Sequence, residues 1–144
     1  MCWISLLAMA CQRETNFERK DELYKYLLKE QQIDLSQKGK LQLVVLQVGN
    51  CGACTREVLN LVERKIPHFS DSTYVLMARR DSSIEANLAT FSKVKILTDK
   101  TNMMSKYGLR YVTDYIFLFE AGELKKTYRL DEYGLKNAER QLKG

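Results

Sequence analysis

The residues of this chain best suited to chemistry are two cysteines, Cys51 and Cys54, separated by Gly52 and Ala53. In the first turn of a helix this spacing places both sulfurs on one side, close enough to form a disulfide with little strain. The unpaired N–H groups of a first turn carry positive potential, which favours a thiolate there. The pair therefore predicts thiol–disulfide chemistry, with Cys51 the exposed, attacking thiol and Cys54 the more covered, resolving thiol.

The pair lies at the junction of a predicted strand and a predicted helix. Leu41 to Val48 is a continuous apolar run with one glutamine, as is typical of a central strand that is buried on both faces. Thr55 to Ile66 places its apolar residues on one helical face and is followed by Pro67, the only proline of the chain. We therefore expect a tight turn to hold the cysteines between these two elements.

The rest of the chain continues the alternation of helices and strands. The elements predicted are a helix over Asn16–Ile33 with Asn16 as its cap, a strand over 73–78, a short helix over 84–91, a strand over 94–98, a short helix over 101–107, a hairpin of strands 115–119 and 124–130, and a helix over 131–143. This order predicts an α/β fold of one domain, with a mixed sheet between layers of helices.

This order around C-x-x-C resembles the thioredoxin superfamily, and two distant segments extend the resemblance. Residues 107–110 (Tyr-Gly-Leu-Arg) and 117–124 look like the family segment that runs from a helix end through the active-site loop into a hairpin. Residues 96–99 look more like the extracytoplasmic TlpA/ResA-like thiol–disulfide oxidoreductases. The resemblance implies a thioredoxin-like three-layer sandwich over 41–144, preceded by a tether and N-terminal helix over 12–40.

The resemblance also implies a loop that faces the cysteines, where the family has a cis-proline. Alignment from the preceding helix puts Thr113 at that position, and alignment from the hairpin puts Asp114 there. A cis bond before a residue other than proline costs about 3–4 kcal/mol, so we expect a trans bond. Two further family positions differ: the buried acid before the motif corresponds to Val45, and the tryptophan before the first cysteine corresponds to Asn50.

An aspartate in this loop has two possible consequences if it lies near the thiols. Its negative charge would raise the pKa of Cys51 and oppose the effect of the helix terminus. Alternatively, the carboxylate of Asp114 could accept a proton from Cys54 and so replace the missing buried acid. The sequence leaves both alternatives open.

Near the start of the chain, residues 3–11 are apolar and uncharged, and the residues that follow them are polar. This segment is too short for a membrane-spanning helix. It resembles the end of a bacterial lipoprotein signal, which implies a signal-like segment over 1–11, a lipid anchor on Cys11 and an exported protein, periplasmic or anchored in the outer membrane. The basic start of a signal peptide is missing and Ala8 stands where the pattern prefers leucine, so a plain secretory signal or a buried strand are alternatives.

Three functions follow from these patterns. The first is exchange with protein thiols and disulfides without a cofactor, and the second is a redox-inert, partner-binding module, which the lost proline and acid favour. The third is metal binding by two pairs across a dimer, since C-x-x-C is half of a zinc site. We predict no metal site within one chain, because it has no second pair in its body and the only histidine, His68, is expected at the surface. The formal charge of +5 comes from scattered residues, which argues against nucleic-acid binding.

Overall fold

The computed structural model of the chain describes residues 17–47, 60, 64, 72–90, 94–111 and 113–130. Its helices and strands are α1 (Lys20–Lys29), β1 (Lys40–Leu46), β2 (Ser72–Met77), α2 (Ser82–Leu88), β3 (Val94–Thr98), α3 (Met103–Lys106), β4 (Tyr115–Glu120) and β5 (Glu123–Arg129). Short 3-10 turns at Leu35–Gln37 and Lys100–Asn102 precede β1 and α3. Asn60 and Arg64 are helical, as predicted for that segment, and the predicted helix over 131–143 lies outside the described residues.

The strands form one five-stranded sheet in the order β3-β2-β1-β4-β5. Strand β1 pairs in parallel with β2 and antiparallel with β4, and β2 pairs in parallel with β3. The sheet is therefore mixed, as predicted, and the pairing changes from parallel to antiparallel at β1. Because β1, β2 and β3 run the same way, their carboxyl ends share one edge, and β4 begins at that edge.

Strand β1 is buried on both faces, which explains why its sequence is a continuous apolar run. Leu43 and Val45 face the layer that contains α1 and α3, whereas Val44 and Leu46 face the layer that contains α2. Helices thus cover the two faces of the sheet, and the described residues form a three-layer α/β sandwich. The first residue after β1 is Gln47, which precedes Cys51 by four residues in the sequence.

Helix α1 is shorter than its periodicity predicts. It begins at Lys20, after Arg19 in the capping position, so the prediction of Asn16 as the cap was wrong. Arg19 makes no side-chain capping bond, and the acidic residues Asp21 and Glu22 instead place negative charge in the first turn, where the helix dipole favours it. Of the apolar residues whose spacing predicted this helix, Leu23 and Leu27 are buried, Tyr24 is half-buried and Leu28 is exposed. Tyr26 completes the buried face.

The predicted helix over 101–107 is divided into a 3-10 turn and α3. Thr101 and Asn102 have φ values of 57° and 56°, in the left-handed region, and interrupt the helix. The capping residue Asn102 makes no side-chain bond, but the Asp99 carboxylate accepts a hydrogen bond from the backbone N–H of Met104 at 3.1 Å and so pairs one donor of the first turn of α3. Gly108 follows α3 with φ +73°, the left-handed conformation in which glycine commonly ends a helix.

Within these described ranges, no helix has the length and apolar content needed to cross a membrane.

Candidate functional site

The candidate site is the edge of the sheet at which β1 ends and β4 begins. The N–H of Ala78, just after β2, donates to the carbonyl of Leu46 at 3.0 Å, and Tyr115 of β4 pairs with Val45. Ligand sites of open α/β sheets occur at the carboxyl ends of strands where the strand order changes direction. The predicted site residues Cys51 and Cys54 lie outside the described residues, as do Asn50 and Cys11.

Asp114 is a buried carboxylate at this edge. Only 5% of the residue is exposed, and its Oδ1 accepts a hydrogen bond from the backbone N–H of Gln47 at 2.6 Å. Burial raises the pKa of Asp114, because it removes the water that stabilises the ionised form, and the bond from Gln47 partly opposes this effect. Gln47 is four residues before Cys51, so Asp114 contacts the strand end that leads into the motif.

Thr113 contacts the residue that follows β5 instead of the end of β1. Its Oγ1 donates to the carbonyl of Leu130 at 3.3 Å, and the N–H of Leu130 donates to the carbonyl of Asp114 at 2.8 Å. These bonds fasten the loop to the residue that follows β5. The bond between Thr113 and Asp114 is trans, as expected. Of the two loop residues, Asp114 is therefore the one whose side chain reaches the end of β1.

Val45 is fully buried among the apolar side chains of the α1 layer. The carboxylate that lies closest to the end of β1 among the described residues is therefore that of Asp114, which precedes β4.

The other buried acid of the described residues, Asp99 after β3, was missed as a candidate by sequence reasoning, although an acid between a strand and a helix is a recognisable capping signal. Its Oδ1 accepts from the Tyr26 hydroxyl at 3.0 Å, and burial together with this carboxylate raises the pKa of Tyr26.

An aromatic cluster supports the loop from the α1 side. The ring centroids of Phe17 and Phe117 are 5.0 Å apart, and those of Tyr111 and Tyr115 are also 5.0 Å apart. The Tyr111 hydroxyl is buried and has no hydrogen-bond partner in the described part of the chain. Burial also raises the pKa of Tyr111. These contacts fix the residues on both sides of Thr113 and Asp114.

The described residues contain no group of three or more His, Cys, Asp or Glu side chains placed to hold a metal ion. The chemistry that the described part of this edge can perform is that of one buried, titratable carboxylate beside a strand end.

No family model matches the sequence, and no curated protein matches it. Among solved structures, BsSco, a member of the Sco family of cytochrome c oxidase assembly proteins, has a TM-score of 0.50 at 11% identity, over 75% of this chain and 80% of that one. The exposed lipoprotein thioredoxin Etrx1 of Streptococcus pneumoniae strain TIGR4 has a TM-score of 0.47 at 13% identity, over 75% and 86%. A thiol peroxidase of Chromobacterium violaceum has a TM-score of 0.44 at 17% identity, over 73% and 71%.

At these identities the similarity concerns the fold alone. The order of the strands, the two helical layers and the similarity to BsSco define a thioredoxin-like α/β fold. The fold predicted from the sequence is confirmed.

Proposed function

We propose that this protein carries out thiol–disulfide exchange through Cys51 and Cys54 and acts on disulfides of partner proteins. The observation that carries the proposal is Asp114, a buried carboxylate that contacts the strand end four residues before Cys51. A carboxylate that loses water on folding costs stability unless it is fully compensated. Groups with perturbed pKa values in such positions are concentrated at sites of chemistry.

The proposed reaction consists of two displacements. The thiolate of Cys51 attacks one sulfur of the partner disulfide, the partner S–S bond breaks, and the departing sulfur takes up a proton. The thiolate of Cys54 then attacks the Cys51 sulfur, which forms the Cys51–Cys54 disulfide and releases the second partner thiol. Two electrons have passed to the partner, and a dithiol donor must reduce the pair before the next cycle.

The position of the motif in the chain supports this proposal. In the sequence the motif follows the central strand, and that strand ends at the edge where the sheet changes from parallel to antiparallel pairing. Strand β3 contains three of the four residues on which the resemblance to the TlpA/ResA-like subtype rests. We retain this subtype as part of the proposal, on the basis of residues 96–99.

We also propose that the protein is exported and anchored by a lipid on Cys11. The support is the apolar stretch that ends at Cys11 and the polar stretch that follows it. In a bacterial host, the wild-type protein should be recovered with the membranes and carry a lipid adduct detectable by mass spectrometry. Cys11→Ser should lose the adduct. A wild-type protein that retains residues 1–11 and has no adduct would refute the anchor.

The exchange proposal is tested by the reduction of insulin disulfides with dithiothreitol as the electron donor. Cys51→Ser should abolish the turnover above the uncatalysed rate, and Cys54→Ser should accumulate a mixed disulfide with insulin. Cys11→Ser is the matched control, because it removes a thiol outside the motif and should retain the turnover. Equal turnover in the wild type and in Cys51→Ser would disprove the proposal.

A further inference from the structure

Strand β3 lies at one edge of the sheet, and none of the described strands pairs with its outer side. The N–H of Asp99, just after β3, donates to the carbonyl of Met77 in β2 at 2.9 Å. Alternate residues of a strand direct their backbone groups to the same side, so Leu97 also bonds to β2. The backbone N–H and C=O groups of Ile96 and Thr98 therefore point away from the sheet.

A groove with a volume of about 470 Å³ follows this outer edge. Among the described residues, its lining includes Ile96, Leu97 and Thr98 but none of β2. Because consecutive side chains of a strand point to opposite faces of the sheet, contact with all three places the groove along the backbone edge. The Gln31 amide donates to the Thr98 carbonyl at 3.5 Å, which is longer than the roughly 2.7–3.2 Å of a strong N–H···O bond. An incoming backbone N–H can therefore replace it.

The charged side chains of the lining make one end of the groove negative. Glu30 caps the C-terminus of α1, where the helix dipole is negative, and its carboxylate accepts a hydrogen bond from the Tyr107 hydroxyl at 2.8 Å. The Asp99 carboxylate contacts Tyr26 of the same helix. Lys100 is the one cation among the described residues of the lining. The end of the groove beside α1 is therefore suited to a positively charged group.

We propose that the outer edge of β3 binds an extended, basic segment of a partner protein as a further strand of the sheet. The backbone of the segment bonds to the N–H and C=O groups of Ile96 and Thr98, which is how strand addition provides affinity. A lysine or arginine of the segment lies beside Glu30 and provides specificity. Ile96 and Leu97 are only half-buried, so the added strand also covers apolar surface of β3. The proposal requires no thiol chemistry and goes beyond the proposed function.

The test uses a short capped peptide of alternating threonine and valine residues with one central lysine, titrated into the full-length protein by isothermal calorimetry. The matched control peptide has glutamate in place of the lysine. We expect the lysine peptide to bind and the glutamate peptide to bind about fivefold more weakly. The reason is that the attraction of an exposed ion pair with Glu30 is replaced by a repulsion of similar size.

Two variants of the protein separate the backbone contribution from the charge. Ile96→Pro removes the outward N–H and keeps the bonds to β2, because an edge strand tolerates proline where its N–H faces away from the sheet. It should weaken binding of the lysine peptide about tenfold or more, whereas Ile96→Val keeps the N–H and should bind like the wild type. Glu30→Gln changes an exposed residue and should remove the preference for the lysine peptide over the glutamate peptide.

The outcomes that would overturn the proposal are distinct. No detectable binding of the lysine peptide, or equal binding to the wild type and to a folded Ile96→Pro, would exclude strand addition at β3. Equal affinities of the wild type for the two peptides would exclude a basic segment as the partner. Dimerisation of the wild type that Ile96→Pro abolishes would assign this edge to a second copy of the chain. If circular dichroism shows that Ile96→Pro does not fold, the loss of peptide preference in Glu30→Gln decides the matter.

Discussion

The hydroxyl of Tyr26 allows a quantitative test of the packing between α1 and the sheet. Tyr26 is 0% exposed, and its hydroxyl donates to Asp99 at 3.0 Å and accepts from the Gln31 amide at 2.8 Å. Tyr26→Phe removes both bonds and keeps the ring. A hydrogen bond to a charged group contributes about 1.5–3 kcal/mol and a neutral one about 0.5–1.5 kcal/mol. Because Gln31 is only half-buried and can turn to water, we expect a loss of about 2–3 kcal/mol.

Tyr111→Phe is the matched control. It removes the same atom from a hydroxyl that is buried without a hydrogen-bond partner in the described part of the chain. An unpaired buried hydroxyl carries a desolvation cost and no compensating bond, so its removal should leave the stability unchanged or raise it by about 1 kcal/mol. Both variants thus lose one buried tyrosine hydroxyl, but only the Tyr26 hydroxyl makes hydrogen bonds in the described part of the chain.

Urea denaturation at equilibrium, followed by far-ultraviolet circular dichroism, measures both variants. With a denaturant slope of about 2 kcal/mol/M, Tyr26→Phe should lower the midpoint by about 1–1.5 M. The slope itself should not change, since the same surface is exposed on unfolding. An equal loss in Tyr26→Phe and Tyr111→Phe would refute the argument, because the loss would then not depend on the hydrogen bonds to Asp99 and Gln31.

Three further predictions concern the two ends of the sheet. Because burial raises the pKa of Asp114 in the folded state, the wild type is stabilised by protonation and loses stability as pH rises through that pKa. Asp114→Asn should thus melt at a higher temperature at pH 7 but not at pH 3, and an advantage that persists at pH 3 would exclude the ionisation as its cause. Gly122→Ala should lower the free energy of unfolding by about 1–2 kcal/mol, because φ is +81° and the new Cβ would lie 3.2 Å from the Ser36 Cα. An unchanged midpoint of urea denaturation would contradict this strain. Asp81 caps α2, and its hydrogen bonds to Ser83 and Ile84 in the first turn lower its pKa. The folded state should therefore lose stability as the pH falls through that pKa, and Asp81→Asn should weaken this dependence in acid titrations of unfolding.

Much of the fold could be predicted because local patterns carry it. The apolar run of β1 is continuous because helices cover both of its faces, and the turn at Ala121–Gly122 needs residues that tolerate positive φ. The order of helices and strands then restricts the topology to a mixed sheet. The helix boundaries were less predictable. The helix α3 begins only after the interruption at Thr101 and Asn102, and the Asp99 side chain bonds both to Tyr26 of α1 and to the N–H of Met104 in the first turn of α3.

The sequence by itself determined the class of fold and the spacing of Cys51 and Cys54, because both depend on residues that are close along the chain. It could not choose between Thr113 and Asp114 as the loop residue beside the strand that precedes the motif, since each alignment was internally consistent. The tertiary structure decided this point. The antiparallel pairing of β4 with β1 brings Asp114 to the backbone of Gln47, 67 residues away, and turns a loop aspartate into a buried carboxylate at the candidate site.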